Sequence, residues 1–378
     1  MDTDLPQRVG IQQRVLPAYR AAFFDALAER LPGSLSVFAG RPFPGEEIHP
    51  AEALRRATWI RAENKMTGWG KISFIRQDGW RQWLEAEDPQ AVVLEANPGY
   101  FSNYRIAGWM RSRRRPVIGW SLGPARATGW LTGRLRSFYN GFSALIVYSR
   151  SGAEAFRGLG ISAERIFTAP NAVSSAAAEE LLGRPGAREK ARAALGLDAR
   201  PVILFVGRLQ RRKRVDALLR ACAGAAAGCQ LLIVGGGGER KALERLAGGI
   251  FPSARFTGDL RGEELGRCFL AADLFVMPGT GGLALQEAML YGKPVAAAEA
   301  DGSQRDLIRE GENGWLLPPG DEEALQAVLR EAVADPARLA EMGAASRRIV
   351  RETATLEKMA VGFLDAIRFA VRPGERVQ

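Results

Sequence analysis

The stretch LFVMPGTGGLALQEAMLYGKPVAAA, residues 274–298, holds a complete structural unit. A short apolar run (274–277) leads into a loop containing Gly279, Gly281 and Gly282, then an apolar segment with helical spacing, then a second apolar run (294–298). Strand, turn, helix and strand in that order make a parallel βαβ unit. Gly292 sits where helices end, and Pro294 keeps the helix from resuming. The first turn of a helix leaves N–H groups unpaired and partly positive, so glycines just before it let an anion come close without meeting side chains. Glu287 follows Leu283 by one helical turn, and helical side chains lean back toward the N-terminus. Its carboxylate therefore reaches the region beside such an anion, where it suits two neighbouring hydroxyls, as on a ribose.

The same alternation of short strands and amphipathic helices runs through the whole chain. Strands are predicted at 8–13, 34–39, 91–95, 116–121, 143–149 and 165–169, and again at 201–206, 230–234, 254–258, 274–277 and 294–298. Two similar sheets with helices on both faces follow, and 378 residues is more than one core usually fills. The division reads as a first domain at 1–170, a linker with one helix at 171–200, a second domain at 201–354 and a terminal helix at 355–378. That helix places Leu356, Met359, Ala360, Phe363, Leu364 and Ile367 on one stripe, which must dock, and the first domain is the expected place.

Charge is unevenly spread. Residues 1–170 hold 23 Lys and Arg against 15 Asp and Glu, a net of +8 out of the whole chain's +10, and seven of the eight tryptophans. Trp59, Trp69, Trp80 and Trp83 interleave with Arg61, Lys65, Lys71, Arg76 and Arg81, a mixture that suits an anionic headgroup layer, or equally a solvated basic face over core tryptophans. No aromatic pattern of a nucleic-acid reader is present, and the second half is nearly neutral. No segment approaches the roughly 18 apolar residues of a membrane span, and no export signal opens the chain, so a cytoplasmic location is expected. The three cysteines lack metal spacing and His49 is the only histidine, so no Cys/His metal site is expected.

Further candidates lie at the ends of the second set of strands. In FVGRLQRRKRVDALL (205–219), Arg208 follows the strand 202–206 and Lys213 precedes a helix. Cations at the carboxyl edge of a parallel sheet face the crevice where ligands of such folds bind, and two of them can neutralise a diphosphate. The run LLIVGGGGERKAL (231–243) has the glycines of a dinucleotide fingerprint without its spacing, and close backbone packing explains it equally well.

Taken together, GRL…K (207–213), FTGDL (256–260), AADLFVMP (271–278), GGL…EA…YGKPV (281–295) and NGWLLPPGD (313–321) resemble the carboxyl-terminal domain of retaining family 4 glycosyltransferases, of the two-Rossmann-domain type called GT-B. PNAV (170–173) is similar to the segment that leaves the first domain in that family, and VLPAYRAAFFDAL (15–27) to an opening found in bacterial polysaccharide and lipid-glycan members. The resemblance implies an α/β fold of two Rossmann-like domains with a cleft between them. It implies a nucleotide-diphosphate-sugar donor, with no separate cofactor and no metal, and a glycan or lipid-linked glycan acceptor. Arg208 and Lys213 would then hold the diphosphate and do the catalytic work, and Glu287 would bind the ribose. Thr280 and the backbone of Gly281, Gly282 and Leu283 would meet phosphate or sugar, with Asp259 and Leu260 lying along the base. Tyr19 and Arg20 would serve the acceptor or its phosphate. Peripheral contact with an anionic inner membrane face fits the basic first half.

Two departures stand out. The family usually carries two glutamates eight positions apart, and the first of these positions is Gly279 here. Many members also place a histidine after the strand 116–121, where this chain reads WSLGPA (120–125). In same-face retaining transfer the leaving diphosphate can take the acceptor's proton, so charge stabilisation and positioning carry the reaction without either group. Two other readings stay open: a non-catalytic nucleotide-sugar or glycan binding module, and a sugar-nucleotide epimerase, for which a lone histidine supplies little proton-transfer chemistry.

Overall fold

The computed structural model describes residues 4–46, 48–69, 72–125, 129–226 and 228–372. Lys71, one of the basic residues singled out above, lies outside them. The chain divides into two units: residues 1–173 with 356–378, and 174–355.

The first unit is built on seven parallel strands: β1 (Arg8–Val15), β2 (Ser34–Gly40), β3 (Thr58–Arg61), β6 (Ala91–Glu95), β7 (Val117–Ser121), β8 (Ala144–Val147) and β9 (Ile166–Thr168). Their order is β3-β2-β1-β6-β7-β8-β9, and an antiparallel hairpin of β4 (Glu63–Trp69) and β5 (Ile72–Asp78) stands apart from them. Successive residues of one strand enter different cores. Val93, Ile118 and Ile146 pack in one cluster, and their neighbours Val92, Val117 and Leu145 in another. Both faces of the sheet are therefore covered, which is why its strands read as continuous apolar runs.

The terminal helix, Leu356–Val371, belongs to this unit. Phe363 meets Trp120 edge-on at 4.7 Å and Phe23 at 4.8 Å. Gly362 lets the helix approach β9 so closely that a Cβ there would lie 2.6 Å from the carbonyl oxygen of Thr168.

The second unit has six parallel strands: β10 (Val202–Val206), β11 (Gln230–Val234), β12 (Arg255–Gly258), β13 (Leu274–Met277), β14 (Val295–Ala298) and β15 (Gly314–Leu317). The order β12-β11-β10-β13-β14-β15 is the Rossmann order 3-2-1-4-5-6. From β10 the chain runs outward to β11 and β12, then returns to start β13 on β10's other side. That reversal opens a crevice at the carboxyl ends of β10 and β13.

All eleven strands read from the sequence are present, and four more accompany them. The missed strands are β3, β4, β5 and β15. Each carries exposed or polar positions, or is only four residues long, and so lacks the apolar run that marks a doubly covered strand. The stretch 171–200 is not a linker with one helix. It forms two helices, Ala176–Leu182 and Ala187–Ala194, both packed on the helix Gly262–Ala271, because Ala178, Leu181 and Ala191 supply buried apolar faces.

The basic and aromatic set of the first unit is largely accounted for locally. Trp83 is a core residue, stacked on Phe38 at 4.9 Å with its Nε1 donating to Ser36 Oγ. Lys65 and Arg76 pair with Asp78, and Arg81 with Glu85.

Candidate functional site at the carboxyl edge of the second sheet

Residues 207–214 leave β10 as a loop held by backbone. The Gly207 N–H donates to Val234 O (3.0 Å), Leu209 N–H to Gly236 O (2.7 Å), and Glu239 N–H to Leu209 O (3.1 Å). This is the use of the run Gly235–Gly238. A Cβ on Gly235, whose φ is +136°, would lie 2.1 Å from Gly207 O, and one on Gly237 would lie 2.4 Å from Leu209 O. Only bare backbone fits between these two loops, so close packing explains the glycines and a dinucleotide fingerprint is not needed.

The seam places two cations at the crevice. Arg208 is half-buried, and among the described residues its guanidinium has no hydrogen-bond or ion-pair partner. Lys213 closes the 3-10 turn Arg211–Lys213. Arg214 then takes a left-handed conformation (φ 54°), held by its ion pair with Glu322 at 2.7 Å. Such a conformation costs a non-glycine residue on the order of 1 kcal/mol, and here it turns the chain into the helix Val215–Ala225 while Lys213 points inward. Lys213 Nζ is buried and donates to the carbonyls of Thr280 and Gly281, each at 2.7 Å. Burial, with Arg212 and Arg208 adding to it, pushes its pKa down to about 8, and Asp301 opposes them.

The loop after β13 is shaped to receive this turn. The Thr280 N–H donates to Arg212 O at 2.9 Å, and Gly279 lies against the backbone of Arg212 and Lys213. A Cβ at 279 would stand 2.2 Å from Arg212 O and 2.6 Å from the Lys213 carbonyl carbon. The glutamate missing from the sequence pattern therefore has no room: backbone fills its place. Beyond it, the N–H groups of Gly281, Gly282 and Leu283 have no acceptor among the described residues. They precede the helix Ala284–Leu290, one turn into which Glu287 is half-buried without a hydrogen-bond or ion-pair partner among the described residues. Burial raises the Glu287 carboxyl to about 7.

Arg208, Lys213 and the 280–283 tip thus meet at the crevice between β10 and β13. Two cations beside open amides can hold a diphosphate, and a carboxylate one helical turn away can accept from hydroxyls.

A profile described as glycosyl transferases group 1 matches residues 187–349. A GDP-mannose-dependent alpha-(1-6)-phosphatidylinositol monomannoside mannosyltransferase of Mycolicibacterium smegmatis is 31% identical over 369 residues, covering 90% of each chain. The chain belongs to the group 1 glycosyl transferases. A GDP-mannose-dependent alpha-mannosyltransferase of the same organism is 40% identical over 171 residues, 44% of this chain and 43% of that one, so this match spans less than half the relative's length. Among solved structures, HepE of Anabaena in complex with UDP shares the fold at a TM-score of 0.74 and 19% identity, covering 94% of this chain and 97% of its own.

Other residues singled out in this glycosyl transferase stand elsewhere. Asp259 and Leu260 follow β12 on the same sheet edge, two strands from β10. Asp259 is exposed and pairs with Arg261 at 2.9 Å, and Leu260 is half-buried. Tyr19 and Arg20 lie in the first unit. Tyr19 is half exposed, but Arg20 is buried rather than displayed. Its guanidinium lies 4.5 Å from the centre of the Trp120 ring and 5.4 Å from that of Tyr148, whose hydroxyl accepts from Nη2 at 2.7 Å. Arg20 Nη1 has no acceptor among the described residues. Lys293, within the YGKPV segment, is structural: its buried Nζ ties down the carbonyls of Leu270 and Ala272 at 3.0 and 2.9 Å.

Sequence reasoning missed Asp301, on the loop after β14, and Gln304, in the short helix Ser303–Leu307 that follows it. Gln304 is buried, and its Nε2 would lie 2.1 Å from a Cβ at Gly281. The signal was available: the loop follows a predicted strand at the same carboxyl edge that singled out Arg208.

Proposed function

We propose that this chain is a retaining, metal-independent glycosyltransferase of family 4. It moves a sugar from a nucleotide-diphosphate donor to a glycan or lipid-linked glycan acceptor in the making of a cell-surface polysaccharide or glycolipid. The observation that carries this is the convergence of Lys213, the unpartnered Arg208 and the open amides of 281–283 on one crevice. GDP-mannose is the first donor to test, because it is named for both mannosyltransferase relatives; UDP-sugars are the second, from the ligand of the shared-fold structure.

In the proposed reaction the bond between the sugar's anomeric carbon and the diphosphate oxygen breaks, and the acceptor oxygen bonds to that carbon on the same face. The departing diphosphate takes the acceptor's proton. Arg208 and Lys213 stabilise the charge that develops on the leaving oxygens, the largest single contribution in reactions of this kind. Burial lowers Lys213 to about 8, which still leaves the amine mostly charged at neutral pH, and an arriving diphosphate favours the charged form further. Glu287 holds the ribose hydroxyls, Thr280 and the backbone of 281–283 meet phosphate or sugar, and Asp259 and Leu260 flank the base. On the acceptor side the half-exposed Tyr19 is the group available, while buried Arg20 packs beneath it against Trp120 and Tyr148.

For location we propose the cytoplasmic side of the inner membrane, with peripheral contact through the first unit. Phe101 and Tyr104 are exposed one turn apart on the helix Phe101–Ser112. Tyr104 meets Phe138 at 5.5 Å, and exposed Leu131 lies two turns before Phe138 on the helix Trp130–Asn140. Exposed Arg105 and Arg134 lie within a turn of these residues on the same two helices, a composition that suits an anionic interface. Among the described residues no helix is long and apolar enough to cross a membrane.

The central test is binding. In a thermal-shift panel of GDP, UDP and their sugar esters, one family should stabilise the protein, since a ligand of the native state raises the unfolding midpoint. Lys213→Ala should weaken nucleoside diphosphate binding by about tenfold or more, the loss of one charge-assisted contact. Unchanged affinity removes the site assignment. The crowding at Gly279 favours one rival, a binding module that holds the donor without turnover. Release of nucleoside diphosphate only when acceptor is present separates the two.

A further inference from the structure

A donor held at this crevice brings its sugar beyond the diphosphate, and sugar hydroxyls need acceptors. The loop after β13 cannot supply a carboxylate, because backbone occupies the space around Gly279. The neighbouring strand does. Asp301, on the loop after β14, has its Oδ2 3.6 Å from the position a Cβ would take on Gly281. It is also close enough to Lys213 to favour that residue's charged form.

The carboxylate is already oriented. Asp301 Oδ1 accepts from the Ser303 N–H at 3.0 Å and the Ser303 hydroxyl at 2.6 Å, which leaves Oδ2 without a hydrogen-bond partner among the described residues. Buried Gln304 holds the same loop through its Oε1, which accepts from the Ala300 N–H at 3.3 Å. Its other end lies under Gly281, so the 300–302 loop, the start of the helix Ser303–Leu307 and the 281 tip pack together. A fixed carboxylate with one open oxygen, exposed to solvent beside a cation and bare amides, is the acceptor a vicinal pair of sugar hydroxyls requires.

We propose that Asp301 binds hydroxyls of the transferred sugar, doing from the loop after β14 what a carboxylate at 279 has no room to do, and so contributes to the choice of sugar. This rests on the donor reading given above.

The test compares a nucleoside diphosphate with its sugar ester, on wild type and on Asp301→Asn and Asp301→Ala: GDP with GDP-mannose, or UDP with UDP-glucose if the panel selects uridine. The nucleoside diphosphate should bind each variant within about twofold of wild type, since it lacks the sugar. The sugar ester should bind the Ala variant about tenfold or more weaker, the scale of one lost hydrogen bond to a charged group, and transfer should fall at least as far. Asp301→Asn keeps an oxygen for Ser303, so it should retain the wild-type unfolding midpoint while losing sugar affinity. An Ala variant with the wild-type preference for the ester overturns the role of Asp301 and leaves the donor site standing. Equal weakening of both ligands also overturns it, as that marks a structural role. Failure of wild type to bind any of these compounds overturns the donor reading itself.

Discussion

Putting the glutamate back at position 279 should damage the protein rather than improve it. Gly279 is not in the left-handed region, so backbone conformation does not demand glycine there. The demand is steric. A Cβ would stand 2.2 Å from Arg212 O, 2.6 Å from the Lys213 carbonyl carbon and 2.8 Å from Lys213 Cα, all of them backbone atoms with no rotamer to change. Relieving such overpacking costs about 1–3 kcal/mol. Moving the turn also breaks the bond from Thr280 N–H to Arg212 O, about 1 kcal/mol, and pulls Lys213 Nζ from two carbonyls, about another 1–2 kcal/mol net. The stiffer unfolded chain returns up to about 1 kcal/mol. The balance is a loss of about 2–5 kcal/mol, which lowers the unfolding midpoint of a unit this size by roughly 5–15 °C. Differential scanning calorimetry on Gly279→Ala and Gly279→Glu measures it. Both should show the loss, because the first carbon causes it, and both should bind nucleoside diphosphate more weakly. A Glu variant with wild-type stability and faster transfer would refute the docking of these two loops.

The remaining predictions concern pH and membranes. Burial holds Glu287 up at about 7 and Lys213 down at about 8 in the free protein, so diphosphate binding should peak between these values. Glu287→Gln should remove the acid limb in calorimetric titrations, and a flat wild-type profile would sink both roles. Folding responds in separate windows. The raised carboxyl makes stability fall as pH rises from its unfolded value of 4.5 to about 7, and the depressed amine makes it rise from about 8 to 10.5. On the membrane side, the protein should sediment with vesicles containing phosphatidylglycerol and not with phosphatidylcholine alone, and Leu131→Glu should release it. Indifference to lipid charge would count against the patch.

What the sequence made legible follows from where the physics is local. A strand covered on both faces is largely apolar, as in Val202–Val206, and the eleven strands read from the sequence each carry enough of such a run to be recognised. The rule that ligands meet a parallel sheet at its carboxyl edge pointed to Arg208 and Lys213, and glycines ahead of a helix N-terminus pointed to the 281–283 tip. The hairpin of β4 and β5 escaped because its exposed positions break the apolar run, and whether Trp83 lay in the core or on the surface stayed open because periodicity does not reveal a ring stacked on Phe38. Arg20 was read as an available cation. Its burial depends on Trp120 and Tyr148, roughly a hundred residues away, which no local pattern could report.

Gly279 shows the same limit from the other side. As sequence, a glycine where a carboxylate is usual is a departure without a cause; as structure, it lets the backbone of Arg212 and Lys213 pack against the loop. The seams 207–209 against 234–239 and 212–213 against 279–281 are made by backbone atoms and one lysine, so side-chain identity says little about them. Their consequence is a site whose cations and amides are positioned before any ligand arrives, and preorganisation of that kind is where most electrostatic catalysis originates. On the donor reading proposed above, the loop after β13 is occupied by a backbone seam, and the next strand in the sheet is β14, whose loop carries the Asp301 proposed as the hydroxyl acceptor. The missing glutamate and the oriented aspartate thus stand on neighbouring strand ends: backbone of Arg212 and Lys213 fills the space at 279, and Asp301 lies beside Gly281.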